Sequence, residues 1–550
     1  MAELRIRVVA GILAAGLALG VAELVAAFAG ATTAPLVALG STVIDRTPDD
    51  LREWAIQTFG TNDKAVLYLC MSLVAAIVAG IAGAIERGDR AAGSLLLAVV
   101  GLLAAGIAVG RTGLAGALPT ALGVATGIYA LRVLTAMIDD VASARARGRT
   151  TDEATPATVD QSAATSGRAT WVGDPTGRSG SVAARAAGPL VTAAATERRT
   201  LLRGLAITGG LAIVAGVGGR LLGVRRGDVS AERAAVELPQ PSGPPVSLAP
   251  EADLRIPGLT PYLTSNADFY RIDTALIVPQ VSIEDWSLRI HGMVEREIRL
   301  SWADLARRGA VERLVTLACV SNPVGGDLIG NALWRGYRLD ELLAEAGPHP
   351  DADMVLSTSQ DGWTCGTPLS TLTDGRDALL AVGMNGEPLP VEHGYPVRLV
   401  VPGLYGYVSA TKWVVDLEVT RFDRATAYWT DRGWSARGPI KTASRIDTPR
   451  ARARLTAGRV PIAGVAWAQH RGITAVEVQI DGGPWQPARL SADQSIDTWR
   501  QWVYDWDATP GPHTPRARAI DATGQPQIAE FQDVVPDGAT GLPSVTVQVS

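Results

Sequence analysis

The chain has 550 residues, 47% of them hydrophobic, with 14 tryptophans and a formal net charge of -5. That length calls for several domains and that composition for packed cores, while the lack of a pervasive basic field argues against nucleic acid as a principal partner. Three cysteines, Cys70, Cys319 and Cys365, exclude a disulfide framework, and five histidines, all after residue 290 and none in an H-x-x-x-H pair, argue against a zinc site.

Residues 8–30 are almost wholly Ala, Gly, Leu and Val, enough as a helix to cross a hydrocarbon core of about 30 Å. Comparable runs fall near 65–85, 92–110 and 113–137, with a weaker fifth at 204–223. Residues 1–142 therefore read as a four-helix membrane domain and 201–225 as a fifth transmembrane helix. These runs contain no histidine for a haem and almost none of the charges that mark ion paths. Arg5 and Arg7, Arg87 and Arg90, and Arg145, Arg147 and Arg149 put their ends in the cytoplasm. The loop 31–63, with Asp45, Asp49, Asp50 and Glu53, is then outside, and residues 225–550 are delivered to the extracytoplasmic side.

Residues 143–200 are rich in Ala, Thr, Ser, Gly and Arg and read as a disordered cytoplasmic linker. At its end, Arg198-Arg199 before a Gly-rich apolar segment is similar to a twin-arginine export signal, the alternative being a chance arginine pair at a helix boundary. Residues 226–254, with ELPQPSGPPVSLAP, read as a Pro-rich linker.

From residue 255 the composition is that of a soluble globular domain. WSLRIHG alternates as a strand, which makes His291 a strand residue, and SWADLARR reads as a helix capped by Ser301. The apolar run Leu314 to Ala318 reads as a buried strand, ended by Asn322, Pro323 and Gly325-Gly326. Cys319, at its end, is a small buried hydrophobe, half of a disulfide, or a thiol placed for chemistry. LDELLAEAG has helical spacing and a glycine stop. From about 450 the pattern is antiparallel sheet: Val476, Val478 and Ile480 before an Asp481-Gly482-Gly483 turn, then Trp502, Tyr504 and Trp506 on one face.

The run CVSNPVGGDLIGNALWRGYRLDELLAEAG, which begins at Cys319, resembles the molybdenum-binding segment of the sulfite oxidase family. SNADFYRIDTALIVP, the Asp361-Gly362-Trp363-Thr364 segment and MNGEPLPVEHGYPVRLVVPGLYGYVSATKWV resemble three others. The resemblance covers residues 255–550. It implies an α+β sulfite-oxidase-type molybdopterin domain over 255–447 and an all-β immunoglobulin-like dimerisation sandwich over 448–550, behind about five N-terminal transmembrane helices. It further implies a molybdenum-molybdopterin cofactor (Mo-MPT) with Cys319 as the metal ligand, a soft thiolate suiting a metal already held by dithiolene sulfurs. Asn266, Tyr270, Arg271 and Asn322 would lie around it, His393 and Arg398 would bond the pterin and its phosphate, and Ser409 and Lys412 would hold the phosphate from the other side.

Two departures stand out. The Arg-Asn-His trio of the animal enzymes is missing near Asn266, and Asp431-Arg432-Gly433-Trp434 lacks the tyrosine that sulfite oxidases place there. Tyr428 and Arg432 are left as the catalytic candidates at the substrate funnel, where Arg432, Arg437, Lys441 and Arg445 either draw anions or are simply solvated. The resemblance thus implies a membrane-anchored oxidoreductase that exchanges an oxygen atom with a small sulfur-oxo or similar substrate. No haem is expected in the chain, so electrons would pass to a separate partner: a cytochrome, a quinone or another membrane protein. The lipid bilayer is a further partner, and a homodimer is open through the C-terminal sheets. The alternative is a non-catalytic membrane-anchored scaffold that keeps the fold for binding.

Overall fold

The computed structural model describes residues 2–48, 62–153 and 188–550, with 51, 54, 55, 58 and 59 between them. They form two units, Met1–Gly227 and Asp228–Ser550. In the first, the helices are α1 (Ala2–Ala29), α2 (Pro35–Arg46), α3 (Asp63–Ile85), α4 (Ala92–Thr112), α5 (Ala117–Glu153) and α6 (Gly188–Gly227). All but α2 are long and apolar enough to cross a membrane. Helix α1 packs against α3, α5 and α6, and the approach to α6 needs glycine. A Cβ on Gly219 would lie 2.5 Å from Leu24 N, and one on Gly20 2.7 Å from Ala212 O. Small-residue seams of this kind let backbones gain dispersion contact without help from apolar burial.

Several expectations are corrected in this unit. The apolar runs themselves carry almost no charge, as expected, but charged groups pair just beyond their ends: Arg7, 4% exposed, pairs with Glu3 and Asp139 and donates to Glu86 O at 3.0 Å. Glu86 is buried and accepts from Ser94 N and Oγ at 2.8 and 2.7 Å. These groups look like flanking charges in a linear reading, which does not see that α1 already begins at Ala2. The expected loop 31–63 contains α2, with Val37 and Ala38 buried and Asp45 paired to Arg111 at 2.7 Å. The expected disordered linker 143–200 is helical at both described ends, because the Ala, Arg and Glu that lower its complexity are also good helix formers. Residues 154–187 lie outside the described residues. The fifth long helix therefore runs over Gly188–Gly227, and it belongs to one unit with the other four.

In the second unit the expected linker 226–254 is instead a packed strap. Val229 and Ala252 are buried, Ser242 N donates to Ala310 O at 2.8 Å, and Leu254 N donates to Gln501 Oε1 at 2.7 Å. Proline favours extended backbone but does not keep that backbone off a surface whose acceptors fit it.

Two sheets follow, the first mixed through one parallel pair and the second antiparallel throughout. One sheet is ordered Ile298–Ser301, Ser287–Gly292, Val414–Thr420, Met354–Ser359, Thr364–Pro368. The other is ordered Val311–Ala318, Ile329–Arg338, Leu379–Met384, Glu387–Pro388, with Arg398–Val400 on Leu379–Met384. The helix Trp302–Ala306 opens on a capping box between Ser301 and Asp304, and Leu339–Ala346 ends at Gly347 with φ 67°.

From Ala443 the regular structure is all β. Ala443–Thr448, Gly458–Trp467, Arg500–Ala508 and Arg489–Leu490 form one sheet, and Gln486–Pro487, Ile473–Ile480 and Pro515–Asp521 a second. Ile462, Val476, Val478, Trp502, Trp506 and Ala519 share one apolar core between them. The boundary expected at 447/448 is bridged at Thr316, three residues before Cys319. Its N–H donates to Asp497 O at 2.9 Å, its carbonyl accepts from Gln469 Nε2 at 3.0 Å and its hydroxyl oxygen accepts from Trp499 N at 2.8 Å. The C-terminal sheets thereby brace the strand that leads to the thiol.

Candidate active site

Cys319 follows the strand Val311–Ala318 and opens a loop closed on itself: its N–H donates to Leu328 O at 2.9 Å, and Asn322 N donates to its carbonyl at 3.2 Å. Asn322 Oδ1 accepts from Leu328 N at 3.0 Å, so this side chain shapes the loop from within. All three cysteines are free. The Cys319 sulfur lies 2.9 Å from Ser321 Oγ, and burial pushes its thiol up, against the weaker pull of Ser321. It is a protonated, soft donor that only a nearby positive centre would turn into thiolate. Among the described residues no three His, Cys, Asp or Glu side chains converge on a metal-sized site. Tyr270 and Tyr405 both feel the charge state of this sulfur, and burial holds both phenols protonated, Tyr405 pushed up to about 12 and Tyr270 further. Tyr405 was not singled out in the sequence, although the Gly403-Leu404-Tyr405-Gly406 run that carries it was.

Tyr270, which feels the sulfur, also feels Arg398, one of a group of cations. Phe269 stacks on Tyr270 at 5.3 Å and meets Trp334 and His393 edge-on at 5.7 and 5.6 Å. Gly330 permits this, since a Cβ there would stand 2.7 Å from the Phe269 ring. The Arg398 guanidinium lies 5.0 Å over the Trp334 ring, 5% exposed, and among the described residues donates only to the carbonyls of His393, Leu399 and Ala410 at 3.0, 3.4 and 3.5 Å. Burial brings its pKa down to about 10. Lys412 Nζ lies 2.8 Å from Asp273 Oδ2 and is brought down to about 8 by burial, with Asp273 opposing. Arg271 reaches the same oxygen at 2.7 Å. Of these three cations two bond one carboxylate, Asp273, and Arg398 bonds none, with Glu392 exposed at the edge.

The other expected ligands are used differently. His393 is brought down to about 4 by burial and by Arg398, so its ring is neutral, and Nε2 lies 3.0 Å from Asn266 O. A carbonyl only accepts, so Nε2 carries the proton and His393 braces the Asn266 segment, leaving Nδ1 without a proton to give an anion. Asn266 is held by Asn385 at 2.8 Å and donates to Met384 O at 3.3 Å. Ser409 is buried and gives its hydroxyl proton to Tyr405 O at 2.9 Å. Tyr428 and Arg432 are brought together, the guanidinium 3.6 Å over the ring and bonded to Tyr428 O at 2.7 Å, beside Trp429 and Trp434. Asp273, like Tyr405, is a site residue that the sequence reading missed. Its only signal was its place two residues after Arg271.

The donor set fits a molybdopterin. A buried guanidinium without a carboxylate, beside a depressed lysine, calls for an anion such as a phosphate, and a soft thiol shielded from solvent suits the metal. A family profile described as "Oxidoreductase molybdopterin binding domain" matches residues 275–429, a stretch that holds Cys319, His393, Arg398, Ser409 and Lys412. The uncharacterized oxidoreductase YuiH of Bacillus subtilis (strain 168) is 33% identical over 153 residues, 28% of this chain and 74% of that protein. Mitochondrial sulfite oxidase of Mus musculus is 29% identical over 306 residues, 47% of this chain and 55% of that one, and the Homo sapiens enzyme 30% over 288 residues, 44% and 52%. The chain thus spans about half the length of these sulfite oxidases. Among solved structures, the sulfane dehydrogenase SoxCD from Paracoccus pantotrophus is 23% identical with a TM-score of 0.47, covering 59% of this chain and 95% of that one. The chain belongs to the sulfite oxidase family of molybdopterin-dependent oxidoreductases, and its cofactor is molybdenum-molybdopterin.

Proposed function

We propose that this protein is a membrane-anchored oxidoreductase that moves an oxygen atom to or from a small sulfur-oxo or similar substrate on the extracytoplasmic side. The observation that carries the proposal is the buried Arg398 guanidinium, bonded only to carbonyls, within reach of the Cys319 thiol through Tyr270. When bound, the cofactor supplies the oxygen-atom and two-electron chemistry, and the protein supplies position, charge and access. Cys319 would ligate the metal, Arg398, Lys412 and Arg271 would hold the phosphate, and Tyr270 and Tyr405 would present neutral hydroxyls near the sulfur. Asn266, Asn322, His393 and Ser409 would keep these donors in place through the backbone. Tyr428 and Arg432 are assigned to the substrate funnel, where the stacked guanidinium offers charge to an anion.

Five apolar helices and arginines clustered at their alternate ends support the membrane assignment and its orientation. Arg198 and Arg199 are exposed within α6 and are assigned to twin-arginine export, which carries a domain across already folded around its cofactor. The electron partner is a separate molecule, and the C-terminal sheets are assigned to an immunoglobulin-like dimerisation domain. The test is metal and pterin analysis of the purified full chain and of Cys319→Ser, with assays of sulfite plus an electron acceptor and of a sulfoxide plus a reduced dye. Molybdenum at one per chain, lost in the variant, with turnover in one assay, is expected. Full metal occupancy in the variant sinks the ligand assignment.

A further inference from the structure

Immediately after α6 ends at Gly227, the strap enters the wall of the candidate site. Val229, 7% exposed, lies in the same apolar cluster as Phe269, Trp334, Leu389 and Tyr395. Three residues on, Glu232 uses both carboxylate oxygens. Oε1 accepts from the Tyr395 hydroxyl at 2.7 Å and from Ile283 N at 2.9 Å, and Oε2 accepts from Ser282 Oγ at 2.6 Å. Burial favours the neutral acid, yet these donors hold Glu232 below the usual carboxylate range, so it is ionised at neutral pH. Arg233 donates to Leu389 O at 2.8 Å and to Pro388 O at 2.6 Å.

Two adjoining strap residues therefore grip both ends of one turn, Pro388 to Tyr395. The turn is closed by His393 N on Pro390 O at 2.9 Å and Gly394 N on Val391 O at 3.2 Å. It carries His393, whose carbonyl receives the Arg398 guanidinium at 3.0 Å and whose ring braces Asn266. Tyr395 is 1% exposed, so loss of its acceptor would strand a hydroxyl in an apolar cluster, at a cost that the turn carrying it would bear.

We infer that Glu232 is a positioning residue of the cofactor site: through Tyr395 and the Pro388 to Tyr395 turn it sets where Arg398 presents its guanidinium to the cofactor's phosphate. The inference rests on the reading of Arg398 as a phosphate ligand given under Proposed function. It makes the first residues after the last apolar helix part of the binding machinery and not a tether.

The test uses the full chain in detergent, made in cells with and without molybdopterin synthesis, and compares Glu232→Ala, Glu232→Gln and Tyr395→Phe. Hydrogen exchange at the amides of His393, Gly394 and Tyr395 is read on the cofactor-free protein, and the pterin lost over time on the loaded one. In the Ala and Phe variants exchange and pterin loss should both rise about tenfold, with helical circular dichroism unchanged. Gln keeps an acceptor for Tyr395 and a donor for Ser282 and should match wild type, a rescue that tracks hydrogen-bond geometry. Wild-type exchange in both variants overturns the inference, and so does raised exchange with pterin held as in wild type. If the Ala variant does not fold, Tyr395→Phe, which removes one oxygen, decides. A wild-type chain that never takes up pterin sinks the functional reading instead, while exchange at 393–395 still judges the role of Glu232 in the turn.

Discussion

Lys412 Nζ sits 2.8 Å from Oδ2 of Asp273 in a largely buried ion pair, the two side chains 11% and 5% exposed. Arg271 engages the same carboxylate oxygen and Arg398 has no carboxylate of its own, so this corner of the second unit holds more positive charge than it neutralises.

The pH response of the cofactor-free protein should have two opposite signs. Burial brings Lys412 down to about 8 in the folded protein, from its ordinary 10.5. The unfolded chain thus binds more protons between those values, and its stability should rise with pH through that window. Affinity for a phosphate-bearing pterin should fall over the same window, because the neutral amine no longer attracts the anion. Lys412→Arg should flatten the affinity change. Calorimetry and pterin titration at pH 7 and 9 check both, and affinity independent of pH in wild type would remove Lys412 from the phosphate site.

Arg398→Met should stabilise the cofactor-free fold while abolishing pterin retention. Replacing an unpaired buried cation with an apolar side chain of similar length relieves desolvation worth about 1 kcal/mol or more, less what the three carbonyls lose. Denaturant melts with parallel pterin analysis test this. A cofactor-free variant clearly less stable than wild type would mean that the carbonyl bonds outweigh the buried charge.

Asp273→Asn should lower the Lys412 pKa further and leave Arg271 without its anchor, so that pterin occupancy at pH 7 drops several-fold while the fold remains. Nuclear magnetic resonance titration of the lysine and pterin content report the two halves separately.

In the helical unit, Gly219→Leu should disrupt the α1 to α6 seam, since even a Cβ would lie 2.5 Å from Leu24 N, at a cost of about 1–3 kcal/mol or beyond. Gly210→Ala, with open space around the position, should be neutral or mildly stabilising. Thermal unfolding in detergent distinguishes them. Equal melting temperatures would mean that α6 does not pack on α1 in the way described.

Local pattern was enough for much of this protein. Apolar runs of the right length located the five long helices to within a turn or two at most of their ends, because a helix of mostly Ala, Leu, Val and Gly has no other low-energy form in an apolar setting. The capping box at Ser301, the glycine stop at Gly347 and the alternation before Asp481 were legible for the same reason, each a signal confined to a few neighbouring residues. The segment around Cys319 was legible as a motif.

What the chain does with its linkers and its charges was not. Residues 228–254 read as a tether because proline and polar residues carry no periodicity, yet their bonds go to partners such as Ala310, Gln494 and Gln501, far along the chain. His393 and Ser409 read as ligands of the pterin and its phosphate through the family resemblance of their segment, but whether a donor is free depends on which carbonyl stands beside it in space. Neighbouring residues along the chain were enough to reveal the elements, the thiol and the arginine. That Asp273 is shared by two cations, that Arg398 bonds carbonyls and no acid among the described residues, and that Glu232 holds the turn at Tyr395 came from the folded chain alone, since ion pairing and burial are properties of long-range contacts that no local window contains.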